Sequence, residues 1–126
     1  MGARILQISA KEPSPPYLQV ADGLRREILG GVLAPDTRLP SVRDLADELK
    51  VAPGTVKAAY RLLIEQGLLR ASVMGTWVSD KADVSTARRR ALDASVGMLQ
   101  QGLIDKGFTQ EEVRASFRRV AAKEAS

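Results

Sequence analysis

Apolar residues recur at helical spacing at the start of the chain. After Pro16 the apolar positions are Tyr17, Val20, Ala21, Leu24 and Ile28. Proline fits the first turn of a helix, where its missing N–H is no loss, and Gly30 with Gly31 supplies a stop after Leu29. The pattern therefore predicts a helix from Pro16 to Leu29.

Two further helices are predicted, and only a short turn separates them. The first begins after Ser41, whose hydroxyl can cap it, and its apolar stripe consists of Val42, Leu45, Ala46 and Leu49. After the turn Val51–Gly54, the second helix carries Val56, Ala59, Tyr60, Leu63 and Ile64 inward and ends at Gly67. Helices joined by so tight a turn must cross steeply, which is the arrangement of a helix-turn-helix.

From Leu69 onward, the spacing of apolar residues changes from that of a helix to that of β-strands. Leu69–Val73 and Thr76–Val78 are predicted as two short strands around a turn at Met74 and Gly75, so a hairpin, or wing, follows the helix-turn-helix. Another short strand is predicted from Arg4 to Ile8, because prolines stop it soon afterwards.

The remaining residues predict a hinge and two helices. Asp80 to Ser85 is polar and is expected to be the hinge, and a capping box at Thr109 and Glu112 marks the start of the last helix. Each of the two helices has an apolar stripe, and the two stripes cannot bury each other well. We therefore expect a second copy of the chain to cover them. The predicted dimerisation residues are Leu92, Val96, Leu99, Leu103, Val113, Phe117 and Val120.

Composition removes most enzyme chemistry. The 126 residues include no cysteine and no histidine, which excludes thiolate nucleophiles, disulfides, imidazole or thiolate metal sites and imidazole-dependent triads. No carboxylate pair is marked by position as a catalytic dyad, so we expect no enzyme, no cofactor and no metal. No apolar run reaches the roughly 18 residues of a membrane span, and the first residues lack the core of a secretory signal. These features predict a cytoplasmic protein.

The net charge of +4 favours a polyanionic partner. Residues 1–80 carry ten basic and nine acidic residues, whereas residues 81–126 carry nine and six. A nucleic-acid site in the first part of the chain must therefore be a local patch.

The segment from Pro16 to Ser79 resembles the winged-helix DNA-binding domain of the GntR family of bacterial transcription regulators. The matching motifs are Pro16-Tyr17-x-Gln19-Val20, Ile28-Leu29-x-Gly31, Leu39-Pro40-Ser41-x-Arg43-x-Leu45-Ala46, Val51-x-x-x-Thr55-Val56-x-x-Ala59-Tyr60-x-x-Leu63, Gly67-Leu68 and Gly75-Thr76-Trp77-Val78. Within the family, the two-helix tail resembles that of the YtrA-like subfamily, since about 45 residues cannot hold the larger effector domains of other subfamilies. Tyr60 is also similar to the residue at this position in the YtrA-like subfamily.

The resemblance implies a mainly α fold with a small β-hairpin wing. It divides the chain into an N-terminal arm over residues 1–15, a winged helix-turn-helix domain over residues 16–80, and a hinge with a two-helix dimerisation tail over residues 81–126. It also implies DNA contacts from Arg43, Thr55 and Lys57, with Ser41 near the DNA backbone. Including the exposed face of the third helix and the wing, the predicted DNA-binding residues are Ser41, Arg43, Thr55, Lys57, Arg61, Arg70 and Gly75.

Each of these cations also has a structural alternative. Arg43 is expected to contact guanine bidentately, and the alternative is an ion pair with Asp44 or Asp47. For Lys57 and Arg61 the alternative is a solvated helix face. The family often has arginine where this chain has Pro53, and its wing tip usually carries arginine or lysine. Here the tip is Ser72-Val73-Met74, so Arg70 is the nearest candidate to compensate.

Two functions stay open on this basis. The first is a homodimeric repressor that binds an inverted-repeat operator in double-stranded DNA. The alternative is a winged-helix dimer that serves as a protein-interaction module with weak or no DNA binding. The resemblance also implies a small-molecule effector in some relatives, although no residue here specifies one. A cleft near Leu92, Leu99 and Phe117 is expected to be filled by the partner's side chains rather than by an apolar compound.

Overall fold

The computed structural model describes residues 8–9, 11 and 13–125, and over those residues it contains five helices and one hairpin. The elements are α1 (Pro16–Leu29), α2 (Val42–Leu49), α3 (Pro53–Glu65), β1 (Leu69–Ser72), β2 (Gly75–Val78), α4 (Lys81–Asp105) and α5 (Gln110–Ala125). The predicted fold, mainly α with a β-hairpin wing, is confirmed. Apart from Ile8, the strand predicted from Arg4 to Ile8 lies outside the described residues, as does most of the predicted N-terminal arm.

The chain forms two compact units, Met1–Arg88 and Arg89–Ser126, and the division falls inside α4. The hinge predicted at Asp80 to Ser85 is wrong, because residues 81–85 are the beginning of α4 and Asp80 directly precedes it. The Asp80 carboxylate accepts a hydrogen bond from the backbone N–H of Asp83 at 2.8 Å, which caps the helix. The domain limits of 16–80 and 81–126 stay predictions.

The first three helices pack around one apolar core. Its largest fully buried side chains are Leu24, Leu45, Leu63, Leu68, Val20, Val56 and Val78. These come from all three helices, from Leu68 just before the hairpin and from Val78 at the end of β2, so the core joins the helix-turn-helix to the wing. The predicted apolar stripes are confirmed except at Tyr17 and Ile64, which are 38% and 39% exposed. Both lie in terminal turns of their helices, where packing against the neighbouring helix ends.

Local signals place the ends of these helices. Pro16 stands at the start of α1, and the Gly30 N–H donates to Arg26 O at its end. The Ser41 hydroxyl accepts a hydrogen bond from the Asp44 N–H at 3.1 Å, as expected of an N-cap. Lys50 ends α2 with a left-handed backbone at φ 58°, and the next helix begins after the short turn that follows.

The wing differs from the prediction at its turn. Leu69 lies opposite Val78 and Ser72 lies opposite Gly75, so the turn consists of Val73 and Met74. The prediction of a turn at Met74 and Gly75 is therefore wrong by one residue. Gly75 begins β2, where its φ of 140° explains why glycine is needed there.

A third segment pairs with the hairpin although the sequence pattern did not predict it. Arg38, in the loop before α2, forms an isolated antiparallel bridge with Trp77. The Leu39 N–H donates to Thr76 O at 2.8 Å, and the Val78 N–H donates to Thr37 O at 2.8 Å. This segment is too short and too close to Pro35 and Pro40 to show a strand period.

The second unit begins within α4 and includes all of α5. The predicted capping box is confirmed: the Thr109 N–H donates to the Glu112 carboxylate at 2.9 Å, and the Glu112 N–H donates to the Thr109 hydroxyl at 3.1 Å. Val113 is buried, whereas Leu92, Leu99 and Val120 are more than half exposed. Among the described residues, no helix combines the length and the apolar character needed to cross a membrane.

Candidate nucleic-acid interface

The N-terminal turn of α2 presents Arg43 to solvent. The side chain is exposed, and its position follows from the Ser41 cap two residues earlier. Within the described part of the chain, Arg43 forms no ion pair with Asp44 or Asp47, the alternative considered for it. Its guanidinium keeps its hydrogen-bond donors available to an external ligand. The planar group suits a base edge or a phosphate.

Three of the other predicted contacts lie along α3. Thr55 is half-buried, while Lys57 and Arg61 are exposed and stand four residues apart on one face of the helix. Ala52 precedes the helix and supplies no side-chain cap; Pro53 has no N–H and the Thr55 N–H donates to Ala52 O, so the first turn presents the Gly54 N–H and the positive end of the helix dipole. These groups favour an anion such as a DNA phosphate.

Gly54 leaves the start of α3 open to close approach. Its φ is not in the left-handed region, and no heavy atom lies within 4 Å of the position a Cβ would occupy. The fold of this chain therefore does not require glycine there. The missing side chain instead lets a partner come close to the backbone.

Tyr60 holds α3 against the segment that leads into α2. The ring is buried, and its hydroxyl donates to Pro40 O at 2.8 Å. The Val51 N–H donates to Ala46 O at 3.0 Å and closes the turn between the two helices. Tyr60 was expected to be a core residue, and this is confirmed. These contacts fix α2 relative to α3, so Arg43 and Lys57 are carried on one rigid support.

Trp77 stands at the base of the wing between two arginines. The guanidinium carbon of Arg38 lies 5.4 Å from the centroid of the ring, and that of Arg70 lies 5.7 Å from it. Arg70 also donates to the Asp36 carboxylate at 2.9 Å and to Val78 O at 3.1 Å. These bonds give Arg70 a role within the wing, and its contact with DNA stays a prediction.

The wing tip is apolar and open. Val73 is fully exposed and Met74 is 70% exposed. Arg38 donates to the carbonyl of Met74 at 2.7 Å, and its Nη2 lies 3.0 Å from the position of a Cβ at Gly75. Gly75 thus has a structural reason to be glycine, and its contact with DNA also stays a prediction. Arg38 was not identified from the sequence, because the contact depends on the bridge between residues far apart in the chain.

In the second unit a cavity of about 240 Å³ lies beside the start of α5. It is lined by Leu103, Phe108, Glu112, Val113, Ser116 and Arg119. It does not include Leu92, Leu99 or Phe117, where the sequence placed a cleft, so that cleft stays a prediction.

Comparisons with known proteins identify relatives that match the first unit and relatives that match most of the chain. Residues 16–78 match the profile described as bacterial regulatory proteins, gntR family. The chain is 28% identical over 110 residues to the transcriptional repressor YtrA of Bacillus subtilis, covering 86% of this chain and 84% of that protein. It is 37% identical over 98 residues to the transcriptional regulator Rv1152 of Mycobacterium tuberculosis, covering 74% and 78%. It is also 43% identical over 76 residues to the probable rhizopine catabolism regulatory protein MocR of Rhizobium meliloti, of which it spans only 15%.

Solved structures show the same architecture. A transcriptional regulator from Oenococcus oeni superposes with a TM-score of 0.67 at 28% identity, covering 90% of this chain and 97% of that one. YtrA from Sulfolobus acidocaldarius gives a TM-score of 0.59 at 30% identity, covering 73% and 98%. The DNA-binding domain of AraR, solved in complex with operator ORX1, gives a TM-score of 0.54 at 29% identity, covering 59% and 96%.

Proposed function

The chain belongs to the GntR family of bacterial regulatory proteins, as a YtrA-like member, and from this premise we propose that it is a homodimeric transcription repressor. Its ligand is an inverted-repeat operator in double-stranded DNA, and it acts in the cytoplasm. Repression is proposed from the B. subtilis relative named as a repressor, and operator binding from the AraR domain solved with its operator. A regulating effector stays a prediction without a chemical class.

The observation that carries the proposal is the state of Arg43. An exposed guanidinium on the capped first turn of α2, without an ion pair to its neighbouring carboxylates, is ready to bind a base edge. We assign it to a guanine. Ser41 is placed near the DNA backbone, where its hydroxyl continues to cap α2.

The residues of α3 supply the remaining contacts. Lys57 and Arg61 bind phosphates, since both are exposed cations on a helix whose open N-terminus favours an anion. Thr55 contacts a phosphate or a base beside them. Gly54 allows the helix to approach the duplex closely. Arg70 and Gly75 are retained as wing contacts.

The second unit supplies the twofold symmetry in this proposal. Leu92, Val96 and Leu99 expose apolar surface along α4. A second copy of the chain that covers this surface would place two helix-turn-helix units on two half-sites of one operator.

The first experiment identifies the operator and tests Arg43. Genomic DNA fragments are selected on the purified protein, and the Arg43→Ala variant is then compared with the wild type on the recovered site and on single-base variants of it. We expect binding to weaken by roughly 1–3 kcal/mol and the preference at one base pair to disappear. The control is Arg26→Ala, which removes an exposed cation of α1 and the same unit of charge. Unchanged base preference in Arg43→Ala would refute the assignment.

The companion variant Lys57→Ala separates phosphate contact from base reading. We expect a loss of affinity that is similar on all sequences, and a slope of log affinity against log salt that is shallower by about 1. Duplex binding that is absent at low ionic strength, or insensitive to salt, would instead support the protein-interaction module.

A further inference from the structure

We infer that Arg38 is a positioning residue for the wing: it holds the apolar tip in place against the DNA and links the tip to the reading helices. This inference rests on the proposed function, because it takes the wing tip to meet the duplex. Arg38 touches the tip through its guanidinium and belongs, through its backbone, to the segment that enters α2.

The contacts of Arg38 converge on the tip. Its Nη2 donates to Met74 O at 2.7 Å, which is a carbonyl of the turn itself. Its guanidinium lies over Trp77, and the missing side chain of Gly75 leaves the space it occupies. The turn is thus held from outside the hairpin as well as by its own strand pairing.

The backbone around Arg38 continues this link to the reading helices. Leu39 is buried in the core and pairs with Thr76 of β2. The carbonyl of the next residue, Pro40, accepts a hydrogen bond from the hydroxyl of Tyr60 in α3, and the Ser41 hydroxyl caps α2. Four consecutive residues therefore join the wing, α3 and the first turn of α2, two residues before Arg43.

Arginine is required for this arrangement. The planar guanidinium can stack on the face of an indole while the N–H groups at the guanidinium edge donate hydrogen bonds. A lysine ammonium, by contrast, is a point charge without a fixed plane. Lysine at position 38 keeps the charge and loses the geometry. This difference separates a positioning role from a simple phosphate contact.

The neutral tip explains why positioning matters in this chain. Ser72, Val73 and Met74 carry no charge, so the tip gains no electrostatic attraction to the DNA backbone. Apolar side chains in the minor groove act through shape and contact, and a contact of that kind contributes more when the loop is ordered before binding. A mobile tip would lose part of its binding free energy to ordering.

The test compares Arg38→Lys and Arg38→Ala with the wild type in two backgrounds, the natural tip and a glycine tip that has lost its apolar side chains through Val73→Gly with Met74→Gly. With the natural tip, we expect both Arg38 variants to lower operator affinity by roughly threefold to tenfold, the range a lost hydrogen bond gives, with an unchanged salt slope. With the glycine tip, neither variant should lower it further, because the apolar side chains that Arg38 positions against the DNA are gone, although the carbonyl that it bonds remains.

A phosphate contact gives the opposite pattern. If Arg38→Lys binds like the wild type, while Arg38→Ala is weaker with a slope shallower by about 1 in both backgrounds, the positioning role is refuted. Arg26→Ala serves again as the charge control. Should Arg38→Ala fail to fold, Arg38→Lys in the two tip backgrounds still decides the question.

A measurement without DNA keeps this inference separate from the proposed function. Amide exchange at Val73, Met74 and Gly75 should speed up in Arg38→Lys, while the amides of Leu24 and Leu63 in the core keep their protection. Unchanged exchange at the tip would overturn the positioning role. If the tip amides exchange faster in Arg38→Lys but the protein binds no duplex, Arg38 still positions the tip. The proposed operator binding is then refuted.

Discussion

At the scale of single residues, the surroundings of each arginine decide what it can do. Arg70 is held by Asp36 and by a backbone carbonyl of the wing, and Arg38 is held by the turn. Arg43 stands on a helix end without an ion pair in the described structure. Arg43 is therefore the strongest candidate for reading a base, and the two wing arginines maintain the shape of the wing.

Tyr60 gives a residue-scale prediction about stability. Tyr60→Phe removes the hydroxyl that donates to Pro40 O, and we expect the free energy of unfolding to fall by about 1 kcal/mol. The denaturant midpoint should decrease with an unchanged slope of the unfolding free energy against denaturant concentration. Tyr17→Phe is the matched control, because its ring is at the rim and no hydrogen bond of its hydroxyl is seen in the described structure. Equal effects of the two substitutions would contradict a special role for the Tyr60 hydroxyl.

At the scale of elements, helices with local end signals were predictable from the sequence. Ser41, Gly30 and the pair Thr109 with Glu112 act on residues within one turn, so a pattern of a few letters contains the whole interaction. The bridge of Arg38 to Trp77 joins residues 39 positions apart, and no local period reports it. The hinge was mispredicted for a related reason, since a polar segment such as Asp80 to Ser85 also makes a good capped helix start.

The capping box of α5 gives an element-scale prediction about pH. The Thr109 N–H, and after it the Thr109 hydroxyl, lower the pKa of Glu112 below its ordinary value of 4.5 by bonding the carboxylate. A carboxyl whose pKa is lower in the folded state than in the unfolded state stabilises the fold at any pH above its ordinary pKa. That stabilisation is lost as the pH falls through the lowered pKa. The start of α5 should therefore fray only in acid.

The measurement is the protection of the Thr109 amide between neutral pH and strongly acidic pH. We expect protection to fall in acid for the wild type and to be independent of pH in Glu112→Gln, whose neutral amide oxygen can still accept the Thr109 N–H but does not titrate. Glu111→Gln is the control, because the neighbouring carboxylate is outside the capping box. The same acid response in Glu112→Gln would show that another group causes it.

At the scale of the whole molecule, α4 buries little of its surface within one copy of the chain. It has 25 residues, all of them described, and Ala87 alone among them is buried. Gly97 and Gly102 lie in its interior, where glycine lowers helix stability by about 1 kcal/mol each relative to alanine. A long helix with weak propensity and exposed leucines needs packing from outside to persist.

A second copy of the chain is the cover we expect, and Leu99→Glu tests it. A carboxylate in the middle of the Leu92, Val96, Leu99 and Leu103 seam should weaken dimer formation by about thirtyfold or more, as for an interface hot spot of about 2 kcal/mol. Met98→Glu is the matched control: it adds the same charge to the neighbouring position, which is 77% exposed and off the seam. Sedimentation equilibrium gives the association constant, and binding to half-site and full-site operators shows whether symmetry is used. A wild-type protein that sediments as a monomer, or equal weakening by both variants, would remove this seam as the dimer interface.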